Sequence, residues 1–420
     1  MNCNVEKSKI SGKIVCPPNK SYTHRAVFLA SLAKGESIIK NILHSEDTNA
    51  TIEACKKFGA KMKEENGNLI INSDSTIKAA VIDAANSGTT IRIAAAIASL
   101  SDEKTILYGD SSLNQRPMQP LLDALESIGA KCSSKNGKPP VEITGIIKGG
   151  KVSIPGNISS QFISALLIAS PLAQNGMTLK IEGDLVSKPY LDATISIMGR
   201  FGVDVKEEEP YKKYSIKHQK YNPTVIIIPS DFSSIALLLS AAVLVGDDLQ
   251  IKATLSDLPQ GDEHFIEILK KLGVDVKING NSITVKSPEK LLGGKFDLSN
   301  TPDLLPPLSI LALKTSNAIE IFNVKHARYK ETDRITVLAR ELQKLGLNVE
   351  EKEDGLVLHS VEKLNGAKLN SEKDHRLFMA FCIAGMFIGN CVVSDSESVN
   401  VSYPNFIDDV NRIGGKIIAA

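Results

Sequence analysis

Apolar residues recur along this chain in two helical styles. In the first, one face is apolar, as where Ile335, Leu338, Leu342 and Leu345 follow a three- and four-residue spacing. In the second, nearly every position is apolar and small: Ala26–Ala33, Ile91–Leu100, Phe162–Leu172, Ile235–Val245, Leu304–Leu313 and Leu377–Ile388. A helix apolar all round is buried on all sides. Between the helices run short alternating stretches. Ala60 and Met62 alternate with Lys61 and Lys63, and Val274 and Val276 with Asp275 and Lys277. These predict strands with one wet face. Asn66-Gly67, Asn136-Gly137, Asn279-Gly280 and Asp354-Gly355 supply hairpin turns.

The pattern repeats six times. Each amphipathic helix ends at a glycine: Gly59, Gly129, Gly202, Gly273, Gly346 and Gly414, spaced 68 to 73 residues apart. A glycine past the last turn, with a basic residue before it in most copies, marks a helix C-terminus. The unit predicted is α/β and βαβαββ-like, about 70 residues long, with one buried and one amphipathic helix. Six units in 420 residues predict two lobes of three. The prolines at Pro17-Pro18 and Pro223–Pro229 mark the crossings. One lobe is expected to be discontinuous, residues 1–17 plus 229–420, and the other continuous, residues 18–228. The last repeat runs short, so the strand Lys9–Val15 is expected to pair within the C-terminal lobe.

Composition narrows the function classes. With 49 basic and 48 acidic residues the net charge is +1, which leaves no electrostatic footprint for nucleic acid or a membrane surface. There is no Trp and aromatics are 5%, so the core must be built from aliphatic and small residues. Six scattered cysteines without a Cys-x-x-Cys pair suit a reducing cytosol better than disulfides or zinc. The seven histidines lack metal spacing. The first ten residues are polar, so no signal peptide is visible. The longest apolar runs, Ile235–Gly246 and Phe378–Gly389, have 12 residues, too short to span a bilayer. A cytoplasmic protein without metal, membrane or nucleic acid is expected.

Candidate chemistry collects at the helix starts. The buried helices begin at Lys20-Ser21 with Arg25, Asn86-Ser87-Gly88 with Arg92, Ser159-Ser160-Gln161, Asp231-Phe232-Ser233-Ser234, Thr301-Pro302-Asp303 and Asp374-His375-Arg376. The amphipathic ones include Asn114-Gln115-Arg116-Pro117, Ser187-Lys188-Pro189 and Arg328–Arg334. Each reads as an N-cap cluster. Many also carry a cation that a cap does not need and that opposes the helix dipole. In the stretch Arg328–Arg334 the charges are expected on the first turn of a helix, Lys330 and Arg334 on one face, Thr332 and Asp333 as caps. Any one cluster taken alone is explained by a solvated cap. Lys20, Arg25, Arg116, Lys188, Lys330, Arg334 and Arg376 together, pointed by both lobes at one place, would suit a ligand with several negative charges. Asp303 and Glu331 stand out as acids among these cations, and general acid–base work is the better account of them.

In order and spacing these motifs, with Tyr403-Pro404, resemble the 5-enolpyruvylshikimate-3-phosphate synthase (3-phosphoshikimate 1-carboxyvinyltransferase) family over the whole chain. The resemblance implies a two-lobed inside-out α/β barrel with sheets outside. It implies attack of the 5-hydroxyl of shikimate 3-phosphate on C2 of phosphoenolpyruvate, protonation at C3, and loss of phosphate from a tetrahedral adduct. Lys20, Ser21, Arg25, Ser159, Ser160, Gln161, Ser187, Asp303 and Lys330 would hold shikimate 3-phosphate. Lys20, Gly88, Arg116, Gln161, Arg334 and Arg376 would hold phosphoenolpyruvate. Asp303 and Glu331, with Lys20, would be catalytic. No cofactor is implied, and a monomer is expected. Two departures stand out: Val401 replaces a Lys of better-known members, and His326 stands where many relatives carry Asn. A rival within the fold, the UDP-N-acetylglucosamine enolpyruvyl transferase, usually carries a reactive Cys before its Arg-Pro pair, and Asp110–Gln115 has none. A non-catalytic sixfold clamp would need basic residues along whole helices.

Overall fold

The computed structural model describes all 420 residues, Met1–Ala420. The chain divides into two compact units. One is Met1–Pro17 with Ser230–Ser256 and Gly261–Ala420; the other is Pro18–Pro229 with Asp257–Gln260. The break falls after Pro229 rather than before it. The short piece Asp257–Gln260, expected in the discontinuous lobe, packs with the continuous one instead. Its Gln260 side chain accepts a hydrogen bond from Asn19 (2.6 Å), and the Pro259 carbonyl accepts one from the Tyr22 hydroxyl (2.7 Å).

Six four-stranded sheets carry the repeat. One copy shows the order. Val81–Asp83 runs parallel to Thr105–Tyr108, which pairs antiparallel with Lys138–Thr144, itself hairpinned to Lys131–Lys135. The buried helix Gly88–Ala98 follows the first strand and the amphipathic helix Gln119–Ser127 the second. All six repeat glycines have φ between 80° and 118°. That left-handed region is open to glycine at little cost, and it lets the chain leave each helix directly into a strand.

Three copies of the repeat are completed from a distance. In the continuous unit Val225–Ile227 returns to lie parallel to Gly35–Lys40. In the discontinuous unit the N-terminal segment feeds two sheets. Ile10–Val15 lies parallel to Gly246–Lys252, while Cys3–Val5 sits between Cys391–Val393 and Ile417–Ala419, antiparallel to both. Ile10–Val15 thus pairs within the discontinuous unit, as expected of Lys9–Val15, and serves the repeat built on Phe232–Val245, while Cys3–Val5 completes the last repeat. Only three strand residues remain after Gly414, too few to form the usual hairpin, so the N-terminus fills the gap.

Each unit has its own core. In the discontinuous unit the helices Phe232–Val245, Leu305–Leu311 and His375–Ile388 pack against one another. In the continuous one Gly88–Ala98 packs along Ser160–Ala169. The alanines Ala94, Ala95 and Ala96 are fully buried, which accounts for a core with few rings. Edge strands such as Lys61–Glu65 and Lys206–Glu209 are charged and exposed, which discourages pairing with other chains. With sheets outside and buried helices inside, the helix starts are the places where polar groups gather.

Candidate active site

Five of the six buried helices begin with a side-chain cap. Asn19, Ser87, Ser159, Asp231 and Asp374 accept hydrogen bonds from Tyr22, Thr90, Gln161, Ser233 and Arg376 backbone N–H groups respectively. Thr301 makes no such bond, because Pro302–Leu304 is a 3-10 turn before the helix proper. The amphipathic starts differ from expectation. Arg116 lies in extended backbone ahead of the helix Gln119–Ser127. Ser187 precedes Lys188–Arg200 in a left-handed conformation, φ 56°, and its side chain caps nothing. A non-glycine residue there is strained, and such strain collects at functional positions.

Within the continuous unit three groups of polar side chains form. Lys20 Nζ is 2.9 Å from Asp47 Oδ2, and both are largely buried. Arg25, 2% exposed, donates to Thr194 Oγ1 (2.8 Å), the Ser21 carbonyl (3.0 Å), the Tyr190 carbonyl (3.2 Å) and Ser164 Oγ (3.4 Å). None of these is a carboxylate, and burial lowers its pKa to about 10. The third group surrounds Gly88. A Cβ built there would lie 2.8 Å from Arg92 Nη1, 3.2 Å from Arg116 Nη1 and 3.4 Å from Gln161 Oε1. Arg92 donates to Gln161 Oε1, Gln161 Nε2 donates to Thr89 (3.1 Å), and Arg116 donates to Asn86 Oδ1 (2.8 Å). Two guanidinium groups thus meet at a helix N-terminus that has no side chain to keep an anion away. Ser159, Ser160 and Ser187 lie in this unit too, the latter two buried.

The discontinuous unit holds the acids. The stretch Arg328–Arg334 is not a first helical turn. Lys325–Tyr329 forms a 3-10 turn, Lys330–Thr332 is irregular, and the helix runs Arg334–Lys344. Lys330 and Arg334 therefore do not share a helical face. Asp333 is the cap, accepting from Thr336 N, while Thr332 donates to Glu372 (2.9 Å). Arg328 binds Asp333 and Glu351, so it serves the loop. The reason is local: with Asp333 already capping Thr336, the residues before it are released from helical geometry.

Arg334 is the hub. It is 1% exposed and is held by Asp374 (2.7 Å), Asp303 (2.7 Å) and Glu331 (2.8 Å). Asp303 also faces Arg376 (3.2 Å) and Lys330 (3.6 Å). Burial opposes its ionisation, but Arg376, Lys330 and Arg334 outweigh it and hold the carboxyl well below the usual range. His326, 9% exposed, is pulled down to about 4 by burial and by Lys330, against Asp303, so it is neutral near pH 7.

Sequence reasoning passed over several members. Asp303 and Glu331 are not the only acids: Asp374 and Asp262 are buried in the same unit. Asp374 is visible in the Asp374-His375-Arg376 motif as a helix cap, and its pairing with Arg334 shows only in the fold. Asp47 and Arg92 lie next to assigned residues, and only the fold shows their contacts. No group of three or more His, Cys, Asp or Glu side chains is arranged to hold a metal ion.

A sixfold α/β repeat whose helix starts gather cations and a few buried acids defines a protein that binds small polyanions and moves protons on them. The comparisons agree. A family model described as EPSP synthase (3-phosphoshikimate 1-carboxyvinyltransferase) matches residues 5–410. The 3-phosphoshikimate 1-carboxyvinyltransferase of Nitrosopumilus maritimus is 64% identical over 419 residues, covering 99% of each chain. That of Methanosarcina mazei is 45% identical over 427 residues, again covering 99% of each. Among solved structures, EPSP synthase from Acinetobacter baumannii superposes with a TM-score of 0.82 at 27% identity, covering 99% of this chain and 98% of that one. The enolpyruvyl transferase NikO from Streptomyces tendae shares the fold, with a TM-score of 0.81 at 17% identity over 100% of this chain and 99% of that one. The chain belongs to the EPSP synthase family.

Proposed function

We propose that this chain transfers the carboxyvinyl group of phosphoenolpyruvate to the 5-hydroxyl of shikimate 3-phosphate and releases phosphate. The observation that carries the reading is the convergence of Arg92, Arg116 and Gln161 on Gly88 at a helix N-terminus. Phosphoenolpyruvate offers a phosphate and a carboxylate, and such groups suit paired guanidinium forks. Gly88, Arg116, Gln161, Lys20, Arg334 and Arg376 hold it. Lys20, Ser21, Arg25, Ser159, Ser160, Gln161, Ser187, Asp303 and Lys330 hold shikimate 3-phosphate. Arg25 suits an anion because its present partners are all neutral oxygens. In this division of labour the continuous unit is the shikimate 3-phosphate side. The discontinuous unit supplies the acids, Arg334 and Arg376 on the phosphoenolpyruvate side. Val401 is buried in the turn Ser396–Val401, so that position adds no cation.

Asp303 and Glu331 move the protons. As found, Asp303 is a poor base, since three cations stabilise its charge. Anions arriving at Arg334 and Arg376 draw those cations off and raise its proton affinity. The base thus strengthens when the substrate arrives. Glu331, beside Arg334, is the acid toward the methylene carbon. The six cysteines are all free thiols, which supports a cytoplasmic setting. No helix is long and apolar enough to cross a membrane.

The test is phosphate release by purified protein. Release requiring both shikimate 3-phosphate and phosphoenolpyruvate is expected. Release only with UDP-N-acetylglucosamine in place of shikimate 3-phosphate would overturn the reading. A second expected result concerns Gly88→Ala. The added methyl meets two guanidinium ends rather than backbone, so folding is nearly unchanged while the cations shift by a few tenths of an ångström or more. KM for phosphoenolpyruvate should rise about ten- to hundredfold, and that for shikimate 3-phosphate much less. Equal rises in both would show a general disturbance instead.

A further inference from the structure

Lys330 and Glu331 lie outside any helix, on the irregular piece Lys330–Thr332. Their aim therefore depends on side-chain contacts. Glu331 meets Arg334 (2.8 Å) and Lys330 faces Asp303 (3.6 Å). Both partners are groups proposed above to handle substrate, so these contacts change as substrate arrives. One contact stands apart: the Thr332 hydroxyl donates to Glu372 Oε2 (2.9 Å).

Glu372 is itself firmly held. Its other oxygen, Oε1, is 2.7 Å from Arg340 Nη2, and Arg340 Nε is 2.7 Å from Oε1 of the fully buried Glu341. Glu341 Oε2 accepts from Lys344 (2.6 Å) and from the Asn370 N–H (2.9 Å). The loop that carries Glu372 is strained, since Glu372 and Lys373 are both left-handed, with φ of 49° and 61°. Two successive non-glycine residues stay in that region only where their surroundings fix them. Here Asn370 Oδ1 accepts from the Glu372 N–H (3.0 Å), and Asp395 Oδ2 accepts from the Lys373 N–H (3.0 Å) and the Ser371 hydroxyl (3.2 Å). Asp374 follows at once and takes Arg334 (2.7 Å). One loop thus grips the stretch Lys330–Arg334 twice, at Thr332 through Glu372 and at Arg334 through Asp374.

We propose that Glu372 is a positioning residue for the transfer reaction, acting through the Thr332 hydroxyl to hold Lys330 and Glu331 in place. Folding makes little demand on this hydrogen bond. Glu372 and Thr332 are both partly exposed, and Glu372 keeps Arg340 without it. A bond anchored in a strained loop and ending one residue from Glu331 is accounted for by the aim of that carboxyl. The inference rests on the transfer reaction proposed above, with Glu331 as acid and Lys330 on shikimate 3-phosphate.

The experiment is phosphate release by the full chain, with kcat and both KM values, for the unaltered protein, Thr332→Val, Thr332→Ser and Glu372→Asn. Valine keeps the shape of threonine and lacks the donor. Asparagine tolerates the left-handed backbone and is one methylene shorter, which withdraws its oxygen from Thr332. In Thr332→Val kcat should fall about ten- to hundredfold through a displaced Glu331. KM for shikimate 3-phosphate should rise several-fold through Lys330. KM for phosphoenolpyruvate should hold, because Arg334 keeps Asp303 and Asp374, and Arg376 keeps Asp303. Thr332→Ser should recover most of kcat. Glu372→Asn should reproduce the pattern, and adding Thr332→Val to it should cost little more, since both break one bond. Unchanged kinetics in Thr332→Val, no recovery in Thr332→Ser, or equal rises in both KM values overturns the role. If Thr332→Val does not fold, Glu372→Asn decides by the same split. Release by the unaltered protein with insensitive variants removes this inference alone. No release from the substrate pair by the unaltered protein removes the proposed function and this inference together.

Discussion

Replacing Glu331 with Gln should lower phosphate release by about 10²–10⁴-fold, the usual worth of a general acid, while the protein remains folded. The geometry favours a clean result. Glu331 meets Arg334 through one oxygen, Oε2, at 2.8 Å. The Gln amide keeps an oxygen acceptor of the same shape, so that hydrogen bond survives. What is lost is the ability to give and regain a proton. Arg334 retains Asp303 and Asp374 as ionic partners. Ligand binding, followed by calorimetry with shikimate 3-phosphate, should change little. Unchanged turnover in Glu331→Gln would return this residue to the role of an ordinary ion pair.

The second large effect is on stability. Arg334→Leu removes the one guanidinium shared by Asp303, Glu331 and Asp374. Taking one partner from a buried ionic network costs about 3–5 kcal/mol, because the remaining charges stay buried. The sign of the pH dependence follows from Asp303. Its folded pKa is depressed, so its contribution is present above the unfolded value of about 3.9 and is lost as pH falls through the folded value. In Arg334→Leu that contribution shrinks and the stranded acids bind protons more readily. The deficit should therefore be largest near pH 7.5 and narrow toward pH 5. Urea unfolding at both pH values measures it. A deficit under about 1 kcal/mol, or one that does not vary with pH, would mean the network is not the stabilising unit described.

Much of this architecture is legible from local pattern. The six repeat glycines stand out because the backbone has to turn left-handed at each helix end, and that demand is met within one or two residues. The buried helices stand out because no polar face interrupts them. Where reading failed, the deciding contact was remote or very short. Cys3–Val5 is three residues long and carries no periodicity, so its place between two C-terminal strands cannot be seen in it. The charged stretch before Arg334 matches a helical spacing, yet Asp333 caps the helix and leaves Lys330 outside. Asp374 lies 40 residues from Arg334 in sequence. Asp262 shows its burial, with the Ser233 hydroxyl donating to it, only in the fold. The cations and serines of the candidate site are recognisable because they repeat a motif. Asp303 and Glu331 stand out among those cations, but Asp47 and Asp262 do not, because any exposed Asp would look the same.

The N-terminal segment has a consequence for how the chain is made. The continuous unit builds its three sheets from strands that lie between Gly35 and Ile227, so it can close while the remainder is still being synthesised. Ile10–Val15 has to wait for Gly246–Lys252, and Cys3–Val5 for Ile417–Ala419. At ordinary translation rates the second wait lasts about 20–80 s. Until Cys391–Val393 is made Cys3–Val5 has no partner, and the Ala420 N–H that donates to Asn2 O at 2.9 Å follows later still. A ribosome stalled before residue 417 would hold a finished continuous unit and an unsealed discontinuous one. Since Asp303, Glu331 and Arg334 all lie in the latter, catalytic competence should wait until Ile417–Ala419 has been made and has joined Cys3–Val5.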